Sequence, residues 1–138
     1  MTDKVKGSGT ADDPWVLRTP PGTSEFSMHR DDVADPPELV CQVGSTKLRY
    51  LARCLDDVPK MLKKHGDWME LGNADEQKPA KDGTIEGWAR SPDNPKQGWY
   101  GLKKGLRGRF ANYVTPVAEA LGLVELEHNA KNNRARAK

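Results

Sequence analysis

Residues 99–113 of the chain read WYGLKKGLRGRFANY. Counted from Leu102, the apolar residues recur at intervals of four, four, three, four and four, which keeps them on one stripe of a helix. This stripe consists of Leu102, Leu106, Phe110, Tyr113, Val117 and Leu121. The opposite face of the predicted helix carries Lys104, Arg107, Gly108, Ala111 and Thr115. We expect the first face to pack on a core and the second, basic face to lie outward.

Pro116 interrupts this pattern, and we expect it to kink the helix or to start a new one capped by Thr115. Gly122 is the predicted end of the helix. Val124, Leu126 and His128 then alternate with two glutamates, and a turn through residues 129–133 leads to the sequence RARAK. This alternation predicts a terminal hairpin in which Glu125 and Glu127 face the arginines Arg134 and Arg136.

The first half of the chain has the alternation of short strands. Residues 15–17 and 25–29 predict two strands, and residues 39–43 and 47–51 flank Gly44-Ser45-Thr46 as the arms of a hairpin. The core faces of these strands carry Phe26, Met28, Leu48 and Tyr50. We therefore expect an N-terminal antiparallel sheet.

Two further helices are predicted between the sheet and residue 99. Asp56 or Asp57 is the expected N-cap of the first, whose apolar positions run from Val58 to His65 and which Gly66 ends. Thr84 is the expected N-cap of the second, with its buried side formed by Ile85, Trp88 and Ala89. The prediction is an α+β fold with an N-terminal antiparallel sheet, three main helices and a C-terminal β-hairpin.

Length and composition indicate one domain. The 138 residues contain two cysteines and carry a net charge of +2. Residues 1–13 are polar and small, so we expect a flexible N-terminal segment followed by a single domain over 14–138, β-rich over 14–55 and helical over 56–138. No signal peptide or membrane span is recognisable, which predicts a soluble, cytoplasmic protein with reduced cysteines.

The small net charge conceals a basic C-terminal third. Residues 96–138 hold nine bases and three acids, and no acidic residue occurs between Asp93 and Glu119. Cations without opposing carboxylates favour an anionic partner, most economically DNA or RNA. The predicted contacts are Lys103, Lys104, Arg107 and Arg109, with the aromatic residues Trp99 and Tyr100 flanking the groove. An acidic protein that docks on the same basic face is the alternative partner.

The glycine spacing of this stretch matches neither a Walker A motif nor the G-x-G-x-x-G fingerprint, so no nucleotide cofactor is expected. The best candidate for chemistry is the group His65, Asp67 and Glu70, which could hold a divalent metal or act as acid and base. Solvated carboxylates beside a helix end explain these residues more simply. We therefore expect a non-enzymatic protein without a metal or cofactor, and keep a metal-dependent enzyme as a third hypothesis.

The predicted order of helix, connection, amphipathic helix and hairpin resembles a winged-helix domain. In that family the third helix enters the major groove and the hairpin, or wing, contacts the backbone. The resemblance implies a recognition helix over 102–115 and a wing over 123–138. Over nearly its whole length the chain also resembles a small family of uncharacterised bacterial proteins, through HGDWMELGNADEQKPA, GWYGLKKGLRGRF and HNAKNNRARA. That resemblance implies a bacterial, cytoplasmic setting and no catalytic residues.

Overall fold

A computed structural model describes residues 7–72, 80–100 and 110–138. Within these residues, the chain forms four strands, a helix, a strand, two helices and two final strands. The strands are β1 (Trp15–Arg18), β2 (Glu25–Asp31), β3 (Glu38–Val43), β4 (Thr46–Leu51), β5 (Met69–Glu70), β6 (Val124–Leu126) and β7 (Arg134–Ala137). The helices are α1 (Cys54–His65), α2 (Ile85–Arg90) and α3 (Phe110–Ala120). The predicted α+β class is confirmed.

Strands β1 to β4 form an antiparallel meander in sequence order. Side chains alternate across it, so Phe26, Met28, Leu48 and Tyr50 lie on the buried face, as the period of two predicts. The β3–β4 hairpin pairs Val43 with Thr46 across a two-residue turn. Both predicted strands and the predicted hairpin are therefore present.

Residues 7–13, predicted to be flexible, form a hydrogen-bonded turn that packs on the meander. The carbonyl of Asp13 accepts from the backbone N–H groups of Ser8 and Gly9, both at 3.0 Å, and the N–H of Arg30 donates to the carbonyl of Gly9 at 2.8 Å. A Cβ at Gly9 would lie 2.3 Å from the Trp15 ring. The absence of a side chain at Gly9 thus lets the turn pack against the Trp15 ring. The polar composition of residues 7–13 does not indicate this contact.

Helix α1 begins at Cys54, earlier than predicted. The N-cap position is Arg53, which provides no side-chain cap, so the prediction of a cap by Asp56 or Asp57 is wrong. Asp57 lies inside the helix and is committed elsewhere, because its carboxylate accepts from Arg53 Nε at 2.7 Å. The end of the helix agrees with the prediction, since Gly66 adopts a left-handed φ of 80°.

Helix α2 begins where the sequence predicts. The Oγ1 atom of Thr84 accepts from the N–H of Gly87 at 3.0 Å, which is the expected N-cap. Ile85 and Ala89 are buried, and Trp88 is partly buried against them. The cap and the apolar positions of this six-residue helix are therefore confirmed.

Helix α3 lies at the centre of the fold. The helix continues through Pro116 to Ala120. After it, Gly122 adopts a left-handed φ of 77°, and its N–H donates to the carbonyl of Glu119. The N–H of Leu123 donates to the carbonyl of Ala118. This is a Schellman ending. Pro116 therefore neither ends the helix nor starts a new one within residues 110–120. The predicted continuation of this helix over 102–109 lies outside the described residues.

The small-residue face predicted to be outward is buried in α3. Ala111 and Thr115 are 1% and 0% exposed. The Thr115 hydroxyl is satisfied inside the helix, where it donates to the carbonyl of Ala111 at 2.6 Å. The meander covers α3 through edge-to-face contacts of Tyr113 with Phe26 and of Phe110 with Tyr50. The prediction of an outward face at these two positions is wrong, because the helix is enclosed on more sides than one apolar stripe indicates.

The C-terminal hairpin is present, with the predicted charge pairing. In the register Glu125 lies opposite Arg136, and their side chains meet at 2.9 Å. However, β7 is the middle strand of a three-stranded sheet in the order β5-β7-β6. One edge of the hairpin is thus covered by β5, where Met69 pairs with Ala135. Among the described residues, no helix is long and apolar enough to cross a membrane.

Candidate nucleic-acid interface

The segment 101–109, here called the basic segment, contains four of the predicted phosphate contacts. Lys103, Lys104, Arg107 and Arg109 all belong to it and lie outside the described residues. The residues on either side of it are described. Tyr100 and Phe110 are both fully buried, and their ring centroids are 5.6 Å apart. The chain on either side of the basic segment is therefore attached to the core, and the two points of attachment, Tyr100 and Phe110, are in contact.

Tyr100 is the first of these points of attachment. Its hydroxyl donates to the Asp57 carboxylate at 2.8 Å, and its carbonyl accepts from the N–H of Leu51 at 3.1 Å. Its ring stacks on Trp88 at 5.4 Å. Burial, followed by the bond to the Asp57 carboxylate, raises the pKa of the Tyr100 phenol above its usual range. The ring lies in the core and is inaccessible to a nucleic acid, so its place beside a binding groove is not retained.

Trp99 differs from its neighbour because it is only partly buried. The guanidinium carbon of Arg90 lies 4.8 Å from the centroid of the Trp99 ring, which is a cation–π distance. Just before Trp99, the Asn94 carboxamide closes a loop by donating to the carbonyls of Trp88 and Gly98, both at 2.8 Å. Trp99 is thus held at the edge of the core beside the start of the basic segment.

Phe110, the second point of attachment, starts α3, and a buried carboxylate caps this end of the helix. Glu86 is 1% exposed, and its Oε1 atom accepts from the N–H of Ala111 at 3.1 Å. Its Oε2 atom lies 3.2 Å from Nη2 of Arg90 in a pair that is itself nearly buried. Burial raises the pKa of Glu86 to about 7, although the helix N–H groups and Arg90 oppose this shift. The partial positive charge of a helix start and a buried guanidinium together account for an acidic residue at this depth.

Sequence reasoning missed this arrangement of Glu86, Arg90 and the start of α3. The available signal was the spacing of four between Glu86 and Arg90 in the helix that Thr84 caps. That spacing predicts an ordinary solvent-exposed pair. The cap on α3 joins residues far apart in the sequence, so no local pattern could have indicated it.

The arginines of the hairpin are engaged by neighbouring side chains. Arg134 forms a two-pronged pair with Glu127, with both N–O distances at 2.9 Å. The guanidinium carbons of Arg134 and Arg136 lie 5.4 Å and 4.5 Å from the Trp68 ring centroid. The sequence prediction that glutamates explain these arginines agrees with the geometry. The exposed cation at the turn of the hairpin is Lys131, which forms no ion pair among the described residues.

The residues of the metal hypothesis are not brought together. His65 Nε2 lies 3.2 Å from the carbonyl of Trp68, and the Asp67 carboxylate accepts from the N–H of Trp68 at 2.7 Å. Glu70 belongs to β5. Within residues 7–72, 80–100 and 110–138, no three side chains of the types His, Cys, Asp and Glu form a group that could hold a metal ion.

The comparisons with known proteins give one finding. A family model described as a family of unknown function (DUF6855) matches residues 7–138. No curated protein and no solved structure matches the chain. The match starts at the turn that packs on Trp15 and includes both sheets, all three helices and the basic segment. The chain therefore belongs to the family of unknown function DUF6855.

Proposed function

We propose that the protein binds nucleic acid without catalysing a reaction, and that the basic segment supplies the phosphate contacts. The observation that carries this proposal is the attachment of a highly basic segment to the core at both ends. Four cations occur within nine residues, and the flanking Tyr100 and Phe110 rings are buried in contact with one another. A solvated charged stretch that served only solubility would not need two aromatic anchors.

The charge distribution supports the same proposal. Residues 96–138 carry six more bases than acids, and the nearest acidic residues in sequence are Asp93 and Glu119. Cations that neutralise phosphates release condensed counterions, which makes binding favourable and dependent on salt. The acidic side chains that contact the flanking residues are already paired: Asp57 with Arg53, and Glu86 with Arg90.

The order of elements also supports the proposal, although the burial of α3 excludes one part of the winged-helix comparison. Three helices followed by a hairpin is the order on which the winged-helix resemblance rests. In residues 110–120, however, α3 is enclosed between the meander, the other helices and the small sheet, and seven of its eleven residues are buried. We therefore assign the contact to the basic segment and do not carry over the insertion of the third helix into a major groove.

The experiment compares two double variants that change charge equally. Lys104→Glu with Arg107→Glu alters the basic segment, whereas Lys63→Glu with Lys64→Glu alters two exposed lysines on α1 that form no ion pair with any described residue. Binding of labelled single-stranded and duplex oligonucleotides is measured by fluorescence anisotropy over a series of salt concentrations. We expect the first variant to lose affinity and to reduce the slope of log K against log salt by about 1.4 to 1.8, for two lost phosphate contacts.

The control variant should keep most of the affinity, and both variants should retain the circular dichroism spectrum of the parent. Equal losses in the two variants would reduce the effect to overall charge and contradict the assignment to the basic segment. A parent that binds no oligonucleotide at low salt, but captures one acidic protein after nuclease treatment, would favour the alternative partner.

A further inference from the structure

A cleft of about 210 Å³ opens at the junction of the two sheets. It lies between the turn after β1, the end of β5, the connection between β6 and β7, and the first turn of α3. The residues of interest in its lining are Pro21, Leu71, Asn112, Glu70 and Lys131. Its volume is below the roughly 300–1,000 Å³ typical of clefts that take drug-sized ligands. The cleft therefore has room for one small ring system and not for a dinucleotide.

Asn112 is the unusual residue of this cleft. It lies on the otherwise enclosed helix α3, is only partly buried, and lines the cavity. Among the hydrogen bonds of the described residues, none involves its carboxamide. Of the two other asparagines in the lining, Asn133 is committed, because its carboxamide donates to the carbonyl of Asn129 at 3.0 Å, and Asn132 is exposed on the hairpin turn. Asn112 thus presents a free donor and acceptor side by side.

The other lining groups define which ligand suits this donor and acceptor. A carboxamide can form a two-pronged contact with adenine through N6 and N7, and a carboxylate such as Glu70 accepts from an exocyclic amine. Pro21, which is partly buried, provides apolar surface for a ring, and Leu71, which is 3% exposed, borders the cleft. Lys131, exposed on the hairpin turn, is free to neutralise a phosphate at the rim. These groups suit an amine-bearing base, with adenine as the best match.

The position of the cleft links it to the proposed binding function. Asn112 follows Arg109, the last cation of the basic segment, by three residues, which limits their Cα separation to about 11 Å. A strand whose phosphates lie on the basic segment could therefore place a base in the cleft. A base enclosed in the cleft must leave the stack of its neighbours, so we expect it to come from a single strand and not from a duplex.

We infer that the cleft accepts a single unpaired adenine of a nucleic-acid strand, and that the protein prefers single strands rich in adenine. This inference rests on the proposed function, since the basic segment supplies the phosphate contacts. It adds a base-reading residue, Asn112, and a class of ligand. A free adenine nucleotide offers the same base without a strand, so the experiment must separate the two sources.

The test measures affinities of 12-nucleotide oligo-dA, oligo-rA, oligo-dT and a duplex, and of adenosine monophosphate alone, at one fixed salt concentration. We expect the parent to bind oligo-dA or oligo-rA about tenfold more tightly than oligo-dT, as one good two-pronged base contact gives. Asn112→Leu, which keeps the side-chain size, should abolish this preference. Asn129→Leu, which makes the same substitution on the hairpin turn but outside the cleft lining, is the matched control and should keep the preference.

Glu70→Gln provides a second variant that does not alter α3, and it should reduce the preference for adenine over thymine. Equal affinity of the parent for oligo-dA and oligo-dT, or a preference that survives in folded Asn112→Leu, would overturn the inference while the proposed function remains. Adenosine monophosphate that binds as tightly as oligo-dA would also overturn it, because the site would then serve a free nucleotide. Absence of binding to every oligonucleotide would overturn the proposed function and this inference with it.

Discussion

The same pair of side chains, glutamate and arginine, occurs in two very different parts of this molecule. In the pair of Glu86 and Arg90, the side chains are 1% and 8% exposed. In the pair of Glu127 and Arg134 on the hairpin, they are 21% and 46% exposed, although the N–O distance is shorter. The buried pair caps α3 and contacts Trp99, whereas the hairpin pair joins Arg134, at the start of β7, to Glu127, the residue after β6. The comparison teaches that burial, and not distance, decides what such a pair does for the fold.

The first prediction breaks the buried pair. Arg90→Met keeps a long unbranched side chain but leaves the Glu86 carboxylate without its buried guanidinium. We expect a loss of about 3–5 kcal/mol in the free energy of unfolding at pH 8, where the parent has an ionised Glu86 paired with Arg90. Urea denaturation measures it. Adding Glu86→Gln to Arg90→Met removes the uncompensated charge and should restore part of the loss. An Arg90→Met variant as stable as the parent at pH 8 would show that the pair is dispensable.

The second prediction uses pH to vary the charge of the same carboxylate. Burial raises the pKa of Glu86 to about 7 from its usual 4.5. The folded chain therefore binds more protons than the unfolded chain between these two values, so the free energy of unfolding falls as pH rises through this window. The contribution is on the order of 3 kcal/mol. Urea denaturation at pH 5 and pH 8 should show a decline in the parent that Glu86→Gln lacks.

His128 contributes a smaller effect of the same sign. Burial opposes its protonation, but hydrogen bonds to Glu119 and to the carbonyl of Pro20 outweigh burial and raise the pKa of the imidazole. This stabilisation is complete below the unfolded pKa near 6.5 and is lost as pH rises through the folded pKa. Because His128 is present in both proteins, its effect cancels in the comparison of the parent with Glu86→Gln. An identical pH dependence in the two proteins would contradict the role given to Glu86.

The third prediction concerns the exposed pair and has the smallest expected effect. Glu127→Gln removes the carboxylate charge that accepts two hydrogen bonds from Arg134, the contact that lowers the pKa of Glu127. Exposed pairs contribute about 1 kcal/mol or less, because water screens them. Thermal denaturation in low salt and in 1 M salt should show a small difference that salt reduces further. A loss as large as that of Arg90→Met would remove the distinction between the two pairs.

The two pairs also illustrate what the sequence can and cannot predict. The hairpin pairing followed from alternation within fifteen residues, because facing positions in a hairpin are fixed by its register. The role of Glu86 depends on the start of α3, which no local pattern connects to it. The outward face assigned to Ala111 and Thr115 failed for the same reason, since small residues suit close packing as well as an approach to a ligand.

Tyr100 and Asn112 show this limit at the candidate site. Tyr100 was placed at a binding groove because it adjoins the basic segment, but depth in the fold cannot be deduced from neighbours in sequence. Asn112 was not singled out, because one polar residue beside an apolar stripe has no distinctive pattern. Its interest depends on a cleft assembled from four separate parts of the chain. The positions of the caps at Thr84 and Gly66 were predictable because each depends on its own helix alone.

The central position of β7 has a consequence for the order in which the molecule folds. The meander joins strands that are neighbours in sequence, whereas β7 must find β5, with Met69 opposite Ala135, across most of the second half of the chain. The entropic cost of closing a loop increases with its length, and non-local pairings slow folding. We therefore expect the meander to form first and to provide the surface on which the helices collect. The small sheet forms last, and with it the cleft that contains Asn112.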